Sequence, residues 1–262
     1  MKLALVGAGK MGGAVLTGAL RAGVLAPEEV GIYHPDETRR QTLAGAFGVV
    51  GLSDDDLHHA ERILIAVKPQ SFEAVAPLVA RRNAPYLSLM AGVSAITIAH
   101  RVGSHRVVRA MPNLGARVGL SATALASLPQ ATANDLAIAH SLFGAIGTVY
   151  PLPESLFDAF TGLGGSGPAF AALFAEALAD GGVRVGFSRD IARDLARQVL
   201  LATAKLLETT PPSSIKDEVA SAGGTAITGV MALEQYGLRY ATMRSVEDAT
   251  LRAAELSGNN KR

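Results

Sequence analysis

The chain has no cysteine and no tryptophan among its 262 residues, and only 5 % of them are aromatic. Without cysteine there is no disulfide, no thiolate metal site and no cysteine nucleophile, which suits a reducing, cytoplasmic setting. An excess of either charge is missing too: 24 Lys and Arg stand against 23 Asp and Glu. That balance leaves no electrostatic footprint for nucleic acid or an anionic membrane, and neither is expected as a partner. No apolar run approaches the length of a membrane span. The start faintly resembles a signal peptide, but its apolar run is only Leu3 to Val6, and Lys10 lies where it would continue. Histidine is lacking after His140, so no later segment can use an imidazole as acid, base or ligand. The length itself accommodates one large or two ordinary domains.

What the chain does have begins at its third residue. Leu3-Ala4-Leu5-Val6 reads as a strand buried on both faces. Gly7-Ala8-Gly9-Lys10-Met11-Gly12 follows with G-x-G-x-x-G spacing, and Ala14, Val15, Leu16, Ala19 and Leu20 then give a helical pattern closed by Gly23. In a dinucleotide site Gly7 would make the tight turn, Gly9 would let a pyrophosphate touch bare backbone, and Gly12 would let helix and strand pack closely. The free N–H groups at the helix start would face the phosphates.

Val30-Gly31-Ile32-Tyr33 reads as a second strand, whose tip in such folds meets the adenosine ribose. Tyr33-His34 with Arg39 and Arg40 behind it favours a 2′-phosphate, hence NADP; Asp36 is the residue that would serve NAD instead. Ser53 is an N-cap candidate before Asp54-Asp55-Asp56, which reads as a first helical turn rather than a metal site with His58-His59. Ile63–Val67 is an apolar strand ending in Lys68-Pro69, which puts Lys68 on the sheet edge where ligands bind and makes it a candidate to act on substrate. Tyr86–Met90, ending in Ala91-Gly92, and Arg106–Ala110, ending in Met111-Pro112-Asn113, repeat the theme.

Strands alternating with helical stretches predict an α/β domain over residues 1–152, a doubly wound Rossmann-type parallel sheet. After Pro151-Leu152-Pro153 the strand signal stops. Phe170, Leu173, Phe174, Ala177 and Leu178 form one helical stripe; Ile191, Leu195, Val199, Ala202 and Leu206 form another between Ser188 and Pro211-Pro212. Long apolar helices without a sheet must bury themselves in one another or in a second subunit. An all-α dimerisation domain is therefore expected over residues 153–262. Two glycine-rich stretches precede helices here, Gly162–Gly167 and Gly223-Gly224, and each suits either an anion or close helix packing.

The segments Gly7–Gly12, Ala66-Val67-Lys68-Pro69, Met111-Pro112-Asn113, Gly162–Ala169, and Ile215-Lys216-Asp217 with Ser221-Ala222-Gly223-Gly224-Thr225 occur in that order. Together they resemble the pyrroline-5-carboxylate reductases. The resemblance implies reduction of a cyclic imine to L-proline by NADPH, with NADH an alternative, in a homodimer that assembles further into a decameric ring of dimers. It implies cofactor contacts at Gly7, Ala8, Gly9, Lys10, Met11, Gly12, Tyr33, His34, Ser53, Ala66, Val67, Lys68, Pro69, Ala91 and Gly92, to which the strand-tip reading adds Arg39 and Asn113. By the same resemblance substrate would lie on Ser221, Gly223, Gly224, Thr225 and Ala226, which makes the helical domain over residues 153–262 the substrate-binding domain as well, with Thr225 and Lys68 as the candidate catalytic residues. A protonated imine is already a strong electrophile, so the chemistry asks mainly for alignment and exclusion of water. Two positions depart from the family pattern: Leu114 and Ala226 stand where threonine is usual. They leave open a relative acting on another cyclic imine; a non-catalytic NADPH-binding regulator is a separate alternative of a different class.

Overall fold

Four apolar residues in a row are all buried only if both faces of their strand are covered. β1 (Leu3–Val6) achieves this, with Leu3 and Leu5 in one core and Ala4 and Val6 in the other. The computed structural model describes residues 1–258. After β1 come α1 (Lys10–Arg21), β2 (Val30–Tyr33), α2 (Glu37–Phe47), β3 (Val50–Gly51), α3 (Asp54–Leu57), β4 (Arg62–Ile65), α4 (Pro69–Val79), β5 (Tyr86–Ser88), α5 (Ala95–Val102) and β6 (Val107–Pro112). These six strands lie in the order β3-β2-β1-β4-β5-β6, all parallel. Leu57, α4 and α5 fill the core on one face; α1 supplies Val15, Leu16 and Ala19 to the other. The order reverses at β1, which leaves a crevice beyond the carboxyl ends of β1 and β4.

The sheet is larger than the sequence suggests and is not wholly parallel. β7 (Ser121–Ser127) runs antiparallel to β6, and β8 (Gly147–Pro151) runs parallel to β7 after α6 (Ala133–Gly144). The reason lies in the link from β6 to β7, a 3-10 turn at Leu114–Val118 ending in Gly119 at φ 77°. It is too short for a crossover helix, so the chain turns back on itself. β7 carries only Ser, Ala, Thr and one Leu, residues of weak strand signal, and pairing on both sides overrides that weakness.

The helical part contains α7 (Phe157–Phe160), a π turn at Thr161–Gly165, α8 (Gly167–Arg184), α9 (Arg189–Leu206), α10 (Pro212–Val219), α11 (Thr225–Gln235) and α12 (Leu238–Leu256). The chain divides into two compact units: Met1–Gly165 with the residues from Ala249 on, and Ser166–Asp248. The boundary expected at 152/153 marks the end of β8, whereas the first unit keeps α7 because Phe157 packs on Ala124 and Ala126 of β7. Within that unit Ser257 Oγ also donates to Asp158 Oδ2 at 3.2 Å.

In the second unit α8 meets α9 through small residues, with Ala179 and Val183 against Ala192 and Ala196. The cap expected at Ser188 is present, its Oγ accepting the Ile191 N–H. Pro212 begins α10, while α9 ends earlier at Leu206. The apolar stripe of α9 faces outward: Ile191, Leu195, Val199 and Leu206 are each about half exposed. Being half exposed, each would gain roughly 1 kcal/mol on full burial, so this face is built for a partner surface.

Candidate functional site

The phosphate loop sits where β1 ends. Gly7 has φ 95°, and a Cβ there would lie 2.8 Å from the Ala66 carbonyl carbon. A Cβ on Gly12 would meet the Gly7 oxygen at 2.5 Å and the Ala66 Cβ at 3.0 Å, so α1 lies directly against the β4 side of the sheet. Gly9 differs from both. It is the N-cap of α1 at φ −72°, ψ −169°, no side chain caps the helix, and nothing lies within 4 Å of a Cβ there. The first N–H groups of α1 are left without intrahelical acceptors, above a glycine with open space in front of it. This cradle fits a dinucleotide pyrophosphate. Ala8, Lys10 and Met11 complete the loop, with Lys10 exposed.

At the tip of β2, Tyr33 is only 2 % exposed. Burial and then the Asp54 carboxylate push its phenol up to about 12. Its ring is thus withdrawn from solvent, and beyond it His34 is half-buried while Asp36 and Arg39 are exposed. His34 Nδ1 accepts the Asp36 N–H at 3.1 Å, and Arg40 Nη1 donates to the His34 carbonyl at 3.3 Å. Asp36 Oδ1 accepts the Arg39 N–H at 2.8 Å as the α2 cap. One oxygen of the carboxylate that would have served a free ribose is therefore engaged. Arg39 is exposed, and its guanidinium makes no ion pair or hydrogen bond among the described residues. A free cation beside a tied carboxylate favours a 2′-phosphate.

Ser53 caps α3 in a capping box, its Oγ bonding Asp56 Oδ2 at 2.7 Å. That box accounts for the acidic run. Ala66 and Val67 lie under the phosphate loop, Lys68 is the exposed N-cap of α4, and Pro69 is its first residue. Ala91 and Gly92, at φ 72°, form the turn after β5. Asn113, expected at the cofactor, is engaged within the protein. Its N–H donates to Ser121 Oγ, its Oδ1 accepts the Gly115 N–H, and its Nδ2 donates to the Gly164 carbonyl at 2.8 Å. For the Gly162–Gly167 stretch packing accounts for Gly164, where a Cβ would touch the Phe160 ring at 2.9 Å, while Gly167 has open space.

In the second unit Gly224 is the N-cap of α11, again without a side-chain cap. Gly223 has φ 69°, and a Cβ on Gly224 would lie 2.3 Å from Ser221 Oγ. Ser221 and Thr225 are exposed and Ala226 is half-buried, so the turn offers free N–H groups with two hydroxyls beside them. Thr228 Oγ1 donates back to the Gly224 carbonyl at 3.0 Å.

Comparison with known proteins adds the decisive observation. The chain is 51 % identical over 257 residues to the pyrroline-5-carboxylate reductase of Thermus thermophilus, covering 98 % of each. The chain belongs to the pyrroline-5-carboxylate reductase family. Residues 154–256 match the family described as pyrroline-5-carboxylate reductase dimerisation. Residues 2–92 match that of coenzyme F420-dependent NADP oxidoreductases, which is confined to the cofactor half. The Streptococcus pyogenes 1-pyrroline-5-carboxylate reductase structure is 31 % identical, with TM-score 0.87 over 97 % of this chain and 98 % of that one. The Plasmodium falciparum pyrroline carboxylate reductase structure, which has NADP bound, is 26 % identical with TM-score 0.85 over 98 % of each. The pyrroline-5-carboxylate reductase reading thus accounts for both halves: a dinucleotide cradle and a helical dimerisation unit with a bare apolar face. One group escaped the sequence reading. Arg109, inside an apolar strand, is a buried cation paired with Glu154; a charge flanked by Val108 and Ala110 was the available signal.

Proposed function

We infer that the chain reduces pyrroline-5-carboxylate to L-proline with NADPH. The observation that carries this reading is the 51 % identity to a reductase of that name across 98 % of both chains. NADPH when bound supplies the hydride. The chain's own part is to bind and align: the N–H groups from Gly9 to Gly12 hold the pyrophosphate, and His34 and Arg39 hold the 2′-phosphate. Ser53, Ala66 to Pro69, Ala91 and Gly92 line the rest of the cofactor's course, with Asn113 bracing the loop beyond β6. Ser221, Gly223, Gly224 and Thr225 hold the substrate carboxylate at the start of α11, where backbone N–H groups and the helix dipole favour an anion. In the helical unit Thr225 is the side chain that acts on the substrate, with Ala226 next to it at the imine nitrogen, and in the cofactor unit Lys68 is the candidate catalytic side chain. Alignment and exclusion of water carry such a reaction when the imine arrives protonated. The working unit is a homodimer joined through the helical unit, assembled further as a ring of dimers in the cytoplasm.

Ala226 favours one second reading, a preference for a different cyclic imine. The test is NADPH oxidation with pyrroline-5-carboxylate beside piperideine carboxylates. The highest kcat/KM is expected with pyrroline-5-carboxylate; a faster piperideine carboxylate would transfer the assignment to the second reading, and no turnover with any imine would remove both.

A further inference from the structure

Arg109 lies in β6 and is only 6 % exposed. Its Nη1 donates to Glu154 Oε1 at 2.9 Å, its Cζ sits 4.7 Å from the Phe157 ring centroid, and its Nη2 reaches the Met90 carbonyl at 3.5 Å. The same Glu154 oxygen accepts the N–H of Ala95 at 2.7 Å. Met90 and Ala95 bracket the turn Ala91–Ser94, so one ion pair grips that turn at both ends. A cavity of about 560 Å³ opens beside it, lined by Gly92, Val93, Ser94, Arg109 and Glu154. Val93 packs on the core and Gly92 lies near the Leu256–Ser257 backbone, while on the cavity side the clamp holds the two ends of the turn.

As a device for stability alone the clamp is poor. Buried ion pairs are commonly replaced by apolar residues without loss, and here Arg109 Nε is also buried with no hydrogen-bond partner. What an apolar pair cannot do is bind a carbonyl at one end of a turn and an N–H at the other. We propose that Arg109 and Glu154 are positioning residues for the reductase reaction, holding the Ala91-Gly92 turn in the setting the hydride-transfer geometry requires. The inference rests on the proposed placement of that turn beside the cofactor. Neither side chain is asked to touch cofactor or substrate. The phosphate cradle, at Gly7–Gly12, is untouched by the clamp, so loss of the clamp should spare cofactor affinity and slow turnover.

The test is the double variant Arg109→Met with Glu154→Gln, which removes both charges, keeps the packing on Phe157 and leaves an amide oxygen to accept the Ala95 N–H. Hydrogen exchange of segment 89–95 in cofactor-free protein is expected to quicken about tenfold, a local loss of protection with the rest of the sheet unchanged. NADPH affinity, followed by fluorescence, should stay within about threefold while kcat falls about tenfold. Glu154→Gln alone should move both readouts the same way by less, and it serves if the double variant does not fold. Unchanged exchange in that segment, or faster exchange with kcat intact, overturns the proposal. So does a kcat loss that merely follows a general loss of folded protein. A wild type that does not reduce the imine is a different result: it refutes the functional reading on which the clamp's role depends, whereas an active wild type with an equally active variant refutes the clamp alone.

Discussion

Gly9→Val separates cofactor binding from folding more cleanly than any other change in the phosphate loop. At φ −72° and ψ −169° the backbone is in a region valine adopts freely, and no atom lies within 4 Å of the added Cβ. Losing a glycine also narrows the unfolded ensemble, a gain of about 0.4–1 kcal/mol that roughly offsets the poorer N-cap. Thermal unfolding should therefore shift by only about 2–4 °C either way. In the cradle the added side chain occupies the space in front of the α1 N–H groups. Removing one charge-assisted hydrogen bond costs about 1.5–3 kcal/mol, so NADPH affinity should fall between about tenfold and about 150-fold. Gly12→Ala is the contrasting control. Its Cβ would meet the Gly7 oxygen at 2.5 Å, so it should lower the melting temperature, an overpacking cost of about 1–3 kcal/mol. The assay is a fluorescence titration with NADPH alongside thermal denaturation. A folded Gly9→Val variant with unchanged NADPH affinity would refute the reasoning, because it would put the pyrophosphate somewhere other than over Gly9.

Arg39→Ala should narrow the preference for NADPH over NADH in kcat/KM by about tenfold, the worth of one exposed phosphate contact; a wild type that prefers NADH would show the β2 tip to be misread. Ala226→Thr should raise kcat/KM about two- to twelvefold, one hydrogen bond's worth of roughly 0.5–1.5 kcal/mol. Thr228 cannot supply that bond, since its hydroxyl donates to the Gly224 carbonyl, and a slower Ala226→Thr enzyme would show that position 226 does not face the imine nitrogen. On α9, Leu195→Asp with Val199→Asp should turn a dimer into monomers in sedimentation, and a dimer that survives both charges would place the interface elsewhere. Asp135 governs part of the acid limb of stability. Burial raises its carboxyl, but the Arg106 guanidinium at 2.8 and 3.0 Å and the bonds from Thr132 outweigh this and hold it below the ordinary 3.8. A depressed native value stabilises the fold above the unfolded pKa, and that contribution is lost as the pH falls through the native one. Asp135→Asn should therefore cost about 2 kcal/mol at pH 7 and progressively less below about pH 4, as read by denaturant unfolding; an equal cost at both ends would sink the linkage.

Local chemistry was legible in the chain wherever one residue type has one physical use. The G-x-G-x-x-G spacing after a four-residue apolar strand determined the loop, the distinct duties of its three glycines and the direction of α1. Ser53 and Ser188 were readable as caps because a hydroxyl before a helical run has a donor waiting two or three residues on. The outward stripe of α9 was readable as apolar, and so was its need for a partner. Tertiary structure decided what depends on residues far apart in sequence. It reversed β7 and β8, because the Asn113–Leu120 link is too short to cross over and sheet pairing outweighs the weak propensity of Ala and Ser. It buried the Tyr33 ring and set Asp36 Oδ1 on the Arg39 N–H as the cap of α2. It also joined Arg109 to Glu154 across 45 positions of chain, a pairing no local pattern encodes: the strand's alternation says which way Arg109 points, and only the folded sheet brings its carboxylate within reach.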